Sequence, residues 1–201
     1  MILHLLKTVM LENSIQMNCH IFLKYMNQLK NTFLEQKLQL QNMVLEENGN
    51  TIYEGIAEVQ YLATFAKYGV GLATAYWDKE CDYLYSAINM YTNCKTHGNV
   101  GENLIETVSS DNSKVCSFAA KDDSDKTLNI ILTNNNMNED VKINIELKKN
   151  NKKYKKVTIY GITSESSEIV EIDSSKLRKI NNNKYTIEMP PVSAYRIVLE
   201  K

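Results

Sequence analysis

Beyond Gly101 the apolar residues recur at every second position, and this change of period constrains the fold more than any other feature of the chain. Val141, Ile143, Ile145 and Leu147 alternate with Lys142, Asn144 and Glu146, as a strand with one wet face requires. Turn clusters punctuate the pattern: Asp122-Asp123-Ser124-Asp125, Asn134-Asn135-Asn136 and Asn181-Asn182-Asn183, whose side chains can bond their own backbone. Strands are expected at 104–109, 114–120, 126–134, 139–148, 153–161, 168–172, 176–180, 184–189 and 194–200. Short strands separated by turns in this way predict an antiparallel β-sandwich over 101–201.

The residues before Gly101 follow other periods. Ile52, Ile56, Val59, Tyr61, Leu62, Phe65 and Ala66 recur at helical spacing, and Gly69 is a stop signal, so 53–68 reads as a helix. Val70 to Trp77 is a short apolar run between Gly69 and Asp78-Lys79-Glu80, the pattern of a strand buried on both faces. Tyr83, Leu84, Ala87, Ile88 and Tyr91 then mark one face of a second helix, which His97-Gly98-Asn99 ends. Helix, buried strand, helix is a fragment of an α/β repeat, bounded at 48–100. Residues 1–47 contain no glycine or proline and favour helix by propensity, yet their apolar positions shift phase. They read as an irregular or helical N-terminal segment.

Charge and motif content exclude several classes of function. Lys+Arg of 23 against Asp+Glu of 24 leaves no basic field to hold nucleic acid. No run approaches the roughly 20 apolar residues of a membrane span, and Met1 to Leu11, interrupted by Lys7, makes a poor signal peptide. Cys19, Cys81, Cys94 and Cys116 form no Cys-x-x-Cys pair and read as free, mostly buried thiols. Cys81 and Cys94 flank the second helix, whose length of about 1.5 Å per residue holds them beyond disulfide reach. Asp122, Asp123 and Asp125 lack the spacing and glycine of a calcium loop and read as a polar hairpin turn. The charge run from Lys148 to Lys156, with Tyr154 inside it, reads as a solvated turn rather than a basic patch. With no phosphate loop, nucleophile elbow or metal-binding histidine pair, no cofactor and no metal are expected.

Several short stretches together resemble one enzyme family. These are Gly55-Ile56-Ala57, Phe65-Ala66-Lys67-Tyr68-Gly69-Val70, Leu72-Ala73-Thr74-Ala75-Tyr76-Trp77, Val108-Ser109-Ser110-Asp111-Asn112, Phe118-Ala119-Ala120, Leu128-Asn129-Ile130-Ile131-Leu132 and Pro191-Val192-Ser193-Ala194-Tyr195. They are similar to the C-terminal end of glycoside hydrolase family 44, over about three quarters of the chain. The family comprises endo-acting β-glucanases and xyloglucanases with a (β/α)₈-type barrel and an attached β-sandwich. The resemblance implies a mainly β fold, an antiparallel β-sandwich preceded by a helix–strand–helix remnant of the barrel. It implies β-glucan as the partner, secretion as typical of the family, and Trp77 as a stacking platform for a sugar ring at the end of the last barrel strand.

Family chemistry is retaining hydrolysis by two glutamates about 5–5.5 Å apart. The acid/base comes from the fourth strand, and no part of this chain is long enough to supply strands one to six. The nucleophile belongs to the seventh, in a segment of the form P-G-T-K-[LI]-A-I-T-E-Y followed by G-G-E-N. In frame, Leu45-Glu46-Glu47-Asn48 matches only its end and places a carboxylate at Glu46, which also reads as part of an exposed acidic turn. The genetic code offers a further reading. If each codon takes the third base of one residue and the first two of the next, Tyr25 to Glu47 permits Y-E-S-I-E-E-Y-F-P-G-T-K-I-A-I-T-E-Y-G-F-G-G-E, the family segment. The Met26–Asn27 junction forces Glu and the Met43–Val44 junction forces Gly. The nucleophile codon would then straddle Gln41 and Asn42, leaving no catalytic residue in the protein.

Two functions follow from the sequence. One is a truncated, inactive homologue of an endo-β-glucanase acting on cellulose or xyloglucan. The alternative is a carbohydrate- or partner-binding β-sandwich, which would need an exposed row drawn from Phe118, Tyr154, Tyr160, Tyr185 and Tyr195.

Overall fold

The computed structural model describes residues 39–43, 51–70, 72–75, 81–148 and 153–201. Strand β1 (Gln39–Met43) pairs in parallel with β2 (Leu72–Ala75), in the register Gln39 to Leu72 and Leu40 to Ala73. Helix α1 (Ile52–Tyr68) lies between them in the chain, as the long crossover of a parallel pair requires, and α2 (Asp82–Thr92) follows. That 39–43 is a strand was not expected from the helical composition of 1–47; pairing with β2 overrides local propensity there.

Helix α1 is delimited by its own side chains. Thr51 Oγ1 accepts the Glu54 N–H, and Glu54 Oε2 accepts the Thr51 N–H at 2.9 Å, a reciprocal cap. At the far end Gly69 takes the left-handed conformation at φ 68°, and its N–H bonds back to the last turn.

A 3₁₀ turn (Lys95–His97) leads into nine strands, all paired antiparallel. They are β3 (Asn103–Ile105), β4 (Val115–Lys121), β5 (Thr127–Asn134), β6 (Val141–Glu146), β7 (Lys156–Thr163), β8 (Ser166–Ile172), β9 (Arg178–Asn181), β10 (Lys184–Met189) and β11 (Ser193–Glu200). Every expected strand is present, in order. They form a six-stranded sheet, β3-β4-β5-β11-β7-β8, and a three-stranded sheet, β6-β10-β9. The antiparallel β-sandwich read from the sequence is therefore the fold.

The large sheet is buried on both faces, and this explains its composition. One face packs Ile130, Leu132, Ile159, Tyr195, Ile197 and Leu199 against Tyr185, Ile187 and Met189 of the small sheet. The other packs Phe118, Ala120, Ile131, Ile162 and Val198 against Ile56 and Val59 of α1 and Ala87, Met90 and Tyr91 of α2. The Tyr91 and Phe118 rings meet edge to face at 5.2 Å. Central strands β5 and β11 accordingly read as continuous buried runs, whereas β6, with its outer face in water, keeps strict alternation.

The turn and cysteine readings hold among the described residues. Asp122 Oδ1 accepts the Lys126 and Thr127 N–H groups at 2.8 and 2.9 Å, so its carboxylate closes the β4–β5 hairpin. Tyr154 is buried in the inter-sheet core rather than presented by the charge run. Cys81, Cys94 and Cys116 are buried and form no disulfide among the described residues. No described helix is long and apolar enough to cross a membrane.

One cation lies inside this apolar frame. Arg196, on β11, is 0% exposed and faces the helices. Its Nε donates to Asn129 Oδ1 at 3.0 Å, Nη1 to the Met90 and Gly98 carbonyls at 2.8 and 2.7 Å, and Nη2 to those of Asn99 and His97 at 2.8 and 3.3 Å. Asn129 is held in turn by donating to the Val100 carbonyl at 2.9 Å. Met90 lies in the last turn of α2, where carbonyls lack intrahelical partners and attract a cation. Replacing Arg196 with Met leaves these acceptors buried and unpaired. The Arg196→Met variant should lose about 3–5 kcal/mol and melt roughly 10 °C lower in a calorimetric or circular-dichroism scan.

Candidate functional site

The residues that the family chemistry singles out lie at or beyond the edge of what the structure describes. Trp77 and Glu46 are outside the described residues. Strands β1 and β2 are described, and their sequences, Gln-Leu-Gln-Asn-Met and Leu-Ala-Thr-Ala, contain no acidic residue. Among the described residues no group of three His, Cys, Asp or Glu side chains is placed to hold a metal.

Chemistry-bearing side chains do gather where the helices meet the large sheet. Gly55 of α1 sits so close to α2 that a Cβ there would lie 2.9 Å from that of Tyr83. The Tyr91 hydroxyl donates to the Val59 carbonyl at 2.7 Å, and Gln60 Nε2 donates to Asn135 Oδ1 at 2.6 Å and Thr133 Oγ1 at 3.2 Å. Glu58 of α1 is in the same joint, 5% exposed. Desolvation raises its pKa from 4.5 to about 7. Burial, reinforced by the charges of Cys116 and Glu58, pushes the Tyr91 hydroxyl well above its ordinary value.

A second cluster joins the 3₁₀ turn to the sheet. The Tyr160 hydroxyl lies 2.7 Å from His97 Nδ1 and 3.0 Å from Thr96 Oγ1, His97 Nε2 lies 3.3 Å from Glu200 Oε2, and Lys156 Nζ lies 2.8 Å from that same oxygen. The bond to Glu200 raises the Lys156 pKa, and the bond to Lys156 leads the effects that lower that of Glu200. Hydroxyl, imidazole and carboxylate in series resemble an activated nucleophile. Tyr160, however, is 2% exposed, so no substrate can reach its oxygen. The cluster is a latch. It holds the turn whose carbonyls Arg196 grips.

Arg196, Glu58 and the latch were not singled out from the sequence. Two carried a signal. Arg196 is a lone charge inside the apolar run Ala194 to Leu199, and Glu58 lies on the α1 stripe that contains Tyr61 and Phe65. The latch had none, since its members are separated by up to 103 positions.

The comparisons with known proteins bear on the whole of this arrangement. No protein-family model matches the chain. Endoglucanase A of Paenibacillus lautus is 32% identical over 155 residues, 75% of this chain and 22% of that protein. The crystal structure of a family 44 endoglucanase from Clostridium thermocellum superposes with a TM-score of 0.77 at 29% identity, covering 87% of this chain and 34% of that one. The chain matches the C-terminal part of glycoside hydrolase family 44. A family 44 xyloglucanase of Paenibacillus polymyxa, solved with xyloglucan, shares the fold at a TM-score of 0.77 and 24% identity. The chain thus spans about a fifth of the first curated relative and a third of these structures.

Within that family 44 fold Glu58 lies in the helix–sandwich joint, where its ionisation works against packing. The native pKa is above the unfolded one, so the cost is absent below pH 4.5, grows between 4.5 and about 7, and is complete above that. An elevation of this size corresponds to roughly 3 kcal/mol. Glu58→Gln should therefore stabilise the protein by up to about that amount at pH 8 and leave it unchanged near pH 4, read from urea unfolding at the two pH values.

Proposed function

We propose that the chain is a glucanase-related homologue that does not itself hydrolyse polysaccharide. On this reading 48–100 are the last α/β units of a family 44 barrel, 101–201 are its supporting sandwich, and 1–47 depart from the family in sequence, although strand β1 within them pairs with β2. The observation that carries it is the composition of the two parallel strands. Retaining hydrolysis needs carboxylates aimed into the cleft from barrel strands, and β1 and β2 offer none. Strand β1 lies beside β2, where a preceding barrel strand would lie, and it spans Gln41 and Asn42, the junction at which the shifted reading frame encodes glutamate.

Polysaccharide specificity, whether cellulose or xyloglucan, would be set by the cleft of the complete fold, with Trp77 as one stacking wall. A sandwich that binds glucan by itself has less support. Phe118, Tyr154, Tyr160, Tyr185 and Tyr195 are all buried, which removes the exposed aromatic row such a module would use.

Purified protein with a cooperative melt should release no reducing sugar from carboxymethylcellulose or xyloglucan. Turnover that Glu46→Gln abolishes would overturn this reading and make Glu46 the nucleophile. The coding DNA provides an independent check: upstream of Asn48, the shifted frame should run without stop codons and encode the family segment ending in G-G-E.

A further inference from the structure

The small sheet turns one face to the core and the other outward, and the outward face holds the one buried side-chain polar atom without a hydrogen-bond partner among the described residues, Thr186 Oγ1. Along β10, Tyr185, Ile187 and Met189 point into the inter-sheet core, so the alternation of a strand puts Lys184, Thr186 and Glu188 on the opposite face. Lys184 and Glu188 are exposed there, whereas Thr186 is only 5% exposed. A hydroxyl sealed from water with no partner carries an unrecovered desolvation cost, and a bound group that pairs with it recovers that cost.

The register of the sheet fixes what stands beside this hydroxyl. Thr186 is directly opposite Asn144 of β6 on one side and Arg178 of β9 on the other, which puts the three side chains in one row about 5 Å apart. Asn144 and Arg178 are both exposed, so the cover over the hydroxyl consists of side chains that turn aside at little cost. Charges in the adjacent rows are matched: Lys184 Nζ lies 3.7 Å from Glu146 Oε1, and Lys142 stands opposite Glu188. Arg178 has no such match. Among the described residues its guanidinium is in no ion pair and no hydrogen bond.

We propose that this row binds a single carboxylate, that of a uronic acid, between the Arg178 guanidinium, the Thr186 hydroxyl and the Asn144 amide. All three groups can donate to an oxyanion, and the guanidinium fork matches the two oxygens of a planar carboxylate. A phosphate fits less well, because its second charge would lie beside Glu146 and Glu188. A sugar acid fits better than a bare one, because Lys142 and Glu188 offer a donor and an acceptor to the hydroxyls beside the carboxylate. A neutral glucan has no group for Arg178, and none of these outward positions is an aromatic on which it could stack.

Titration calorimetry of the full chain with D-glucuronate should show saturable binding, about tenfold tighter than that of acetate, inorganic phosphate or glucose. Arg178→Lys keeps the charge but loses the fork and should weaken binding by about tenfold. Thr186→Val keeps the shape and removes only the hydroxyl. Its binding should weaken by about fivefold while its melting temperature holds or rises, because the variant deletes an unpaired polar group; a hydroxyl that serves the fold alone would not produce that split. Lys114→Ala, which removes an exposed cation ahead of β4 in the other sheet, should leave binding unchanged. The assignment is overturned if glucuronate does not saturate, if acetate, phosphate or glucose binds as tightly, if Thr186→Val binds normally, or if Lys114→Ala weakens binding as much as Arg178→Lys.

Discussion

The guanidinium of Arg196 is the interaction on which the arrangement of the molecule depends. A charge sealed from water with no carboxylate beside it survives only if every N–H finds an acceptor, and the acceptors here are backbone carbonyls of the α2 end and the turn after it. Those carbonyls cannot be supplied by another docking of the helix. The requirement therefore runs backwards through the fold. Asn129 must present its oxygen, His97 at the end of the 3₁₀ turn and Gly98 and Asn99 after it must direct three successive carbonyls inward, and the His97 latch must hold that turn in place. Strand β11 thereby fixes both its sheet neighbours by ladder bonds and the helical layer by side-chain bonds.

The two faces of the large sheet are specified by different physics. Between the sheets the contacts are chiefly aliphatic and aromatic, with Asn134 Nδ2 donating to the Met189 and Pro190 carbonyls at 3.1 and 2.8 Å at one end. On the helical side the polar groups concentrate: Arg196, Asn129, Thr133 and Glu58 are all buried there. Aliphatic surfaces tolerate sliding, whereas directional bonds to particular carbonyls do not. The helix pair would otherwise be the loosest part of the described structure, because it is joined to the sheet by packing and not by a ladder. The polar joint supplies a single docking, with Glu58 as the group that works against it once ionised.

Much of the sandwich was legible because half-buried and fully buried strands leave different marks. Strand β6 reads as strict alternation since its outer side chains are in water, and Asp122 reads as a turn because a short carboxylate can bond the backbone two to five positions on. The limits of helix α1 were legible from Thr51, Glu54 and Gly69. What could not be read was which layer covers the second face of a continuous apolar strand, since periodicity ends where both faces are dry. Strand β1 escaped notice for a related reason. Its residues carry no strand preference of their own, and their partner lies more than thirty positions away.

The family 44 likeness and the physical reading meet at the helical layer. In an isolated α/β fragment the apolar faces of α1 and α2 would need barrel neighbours to cover them. Here Ile56, Val59, Ala87 and Met90 are covered by the large sheet, packed with Phe118, Ala120, Ile131, Ile162 and Val198. Burial of that apolar face and the Arg196 bonds therefore act together: packing alone has no direction, and the guanidinium selects the one docking of α2 in which the Met90, His97, Gly98 and Asn99 carbonyls converge on β11.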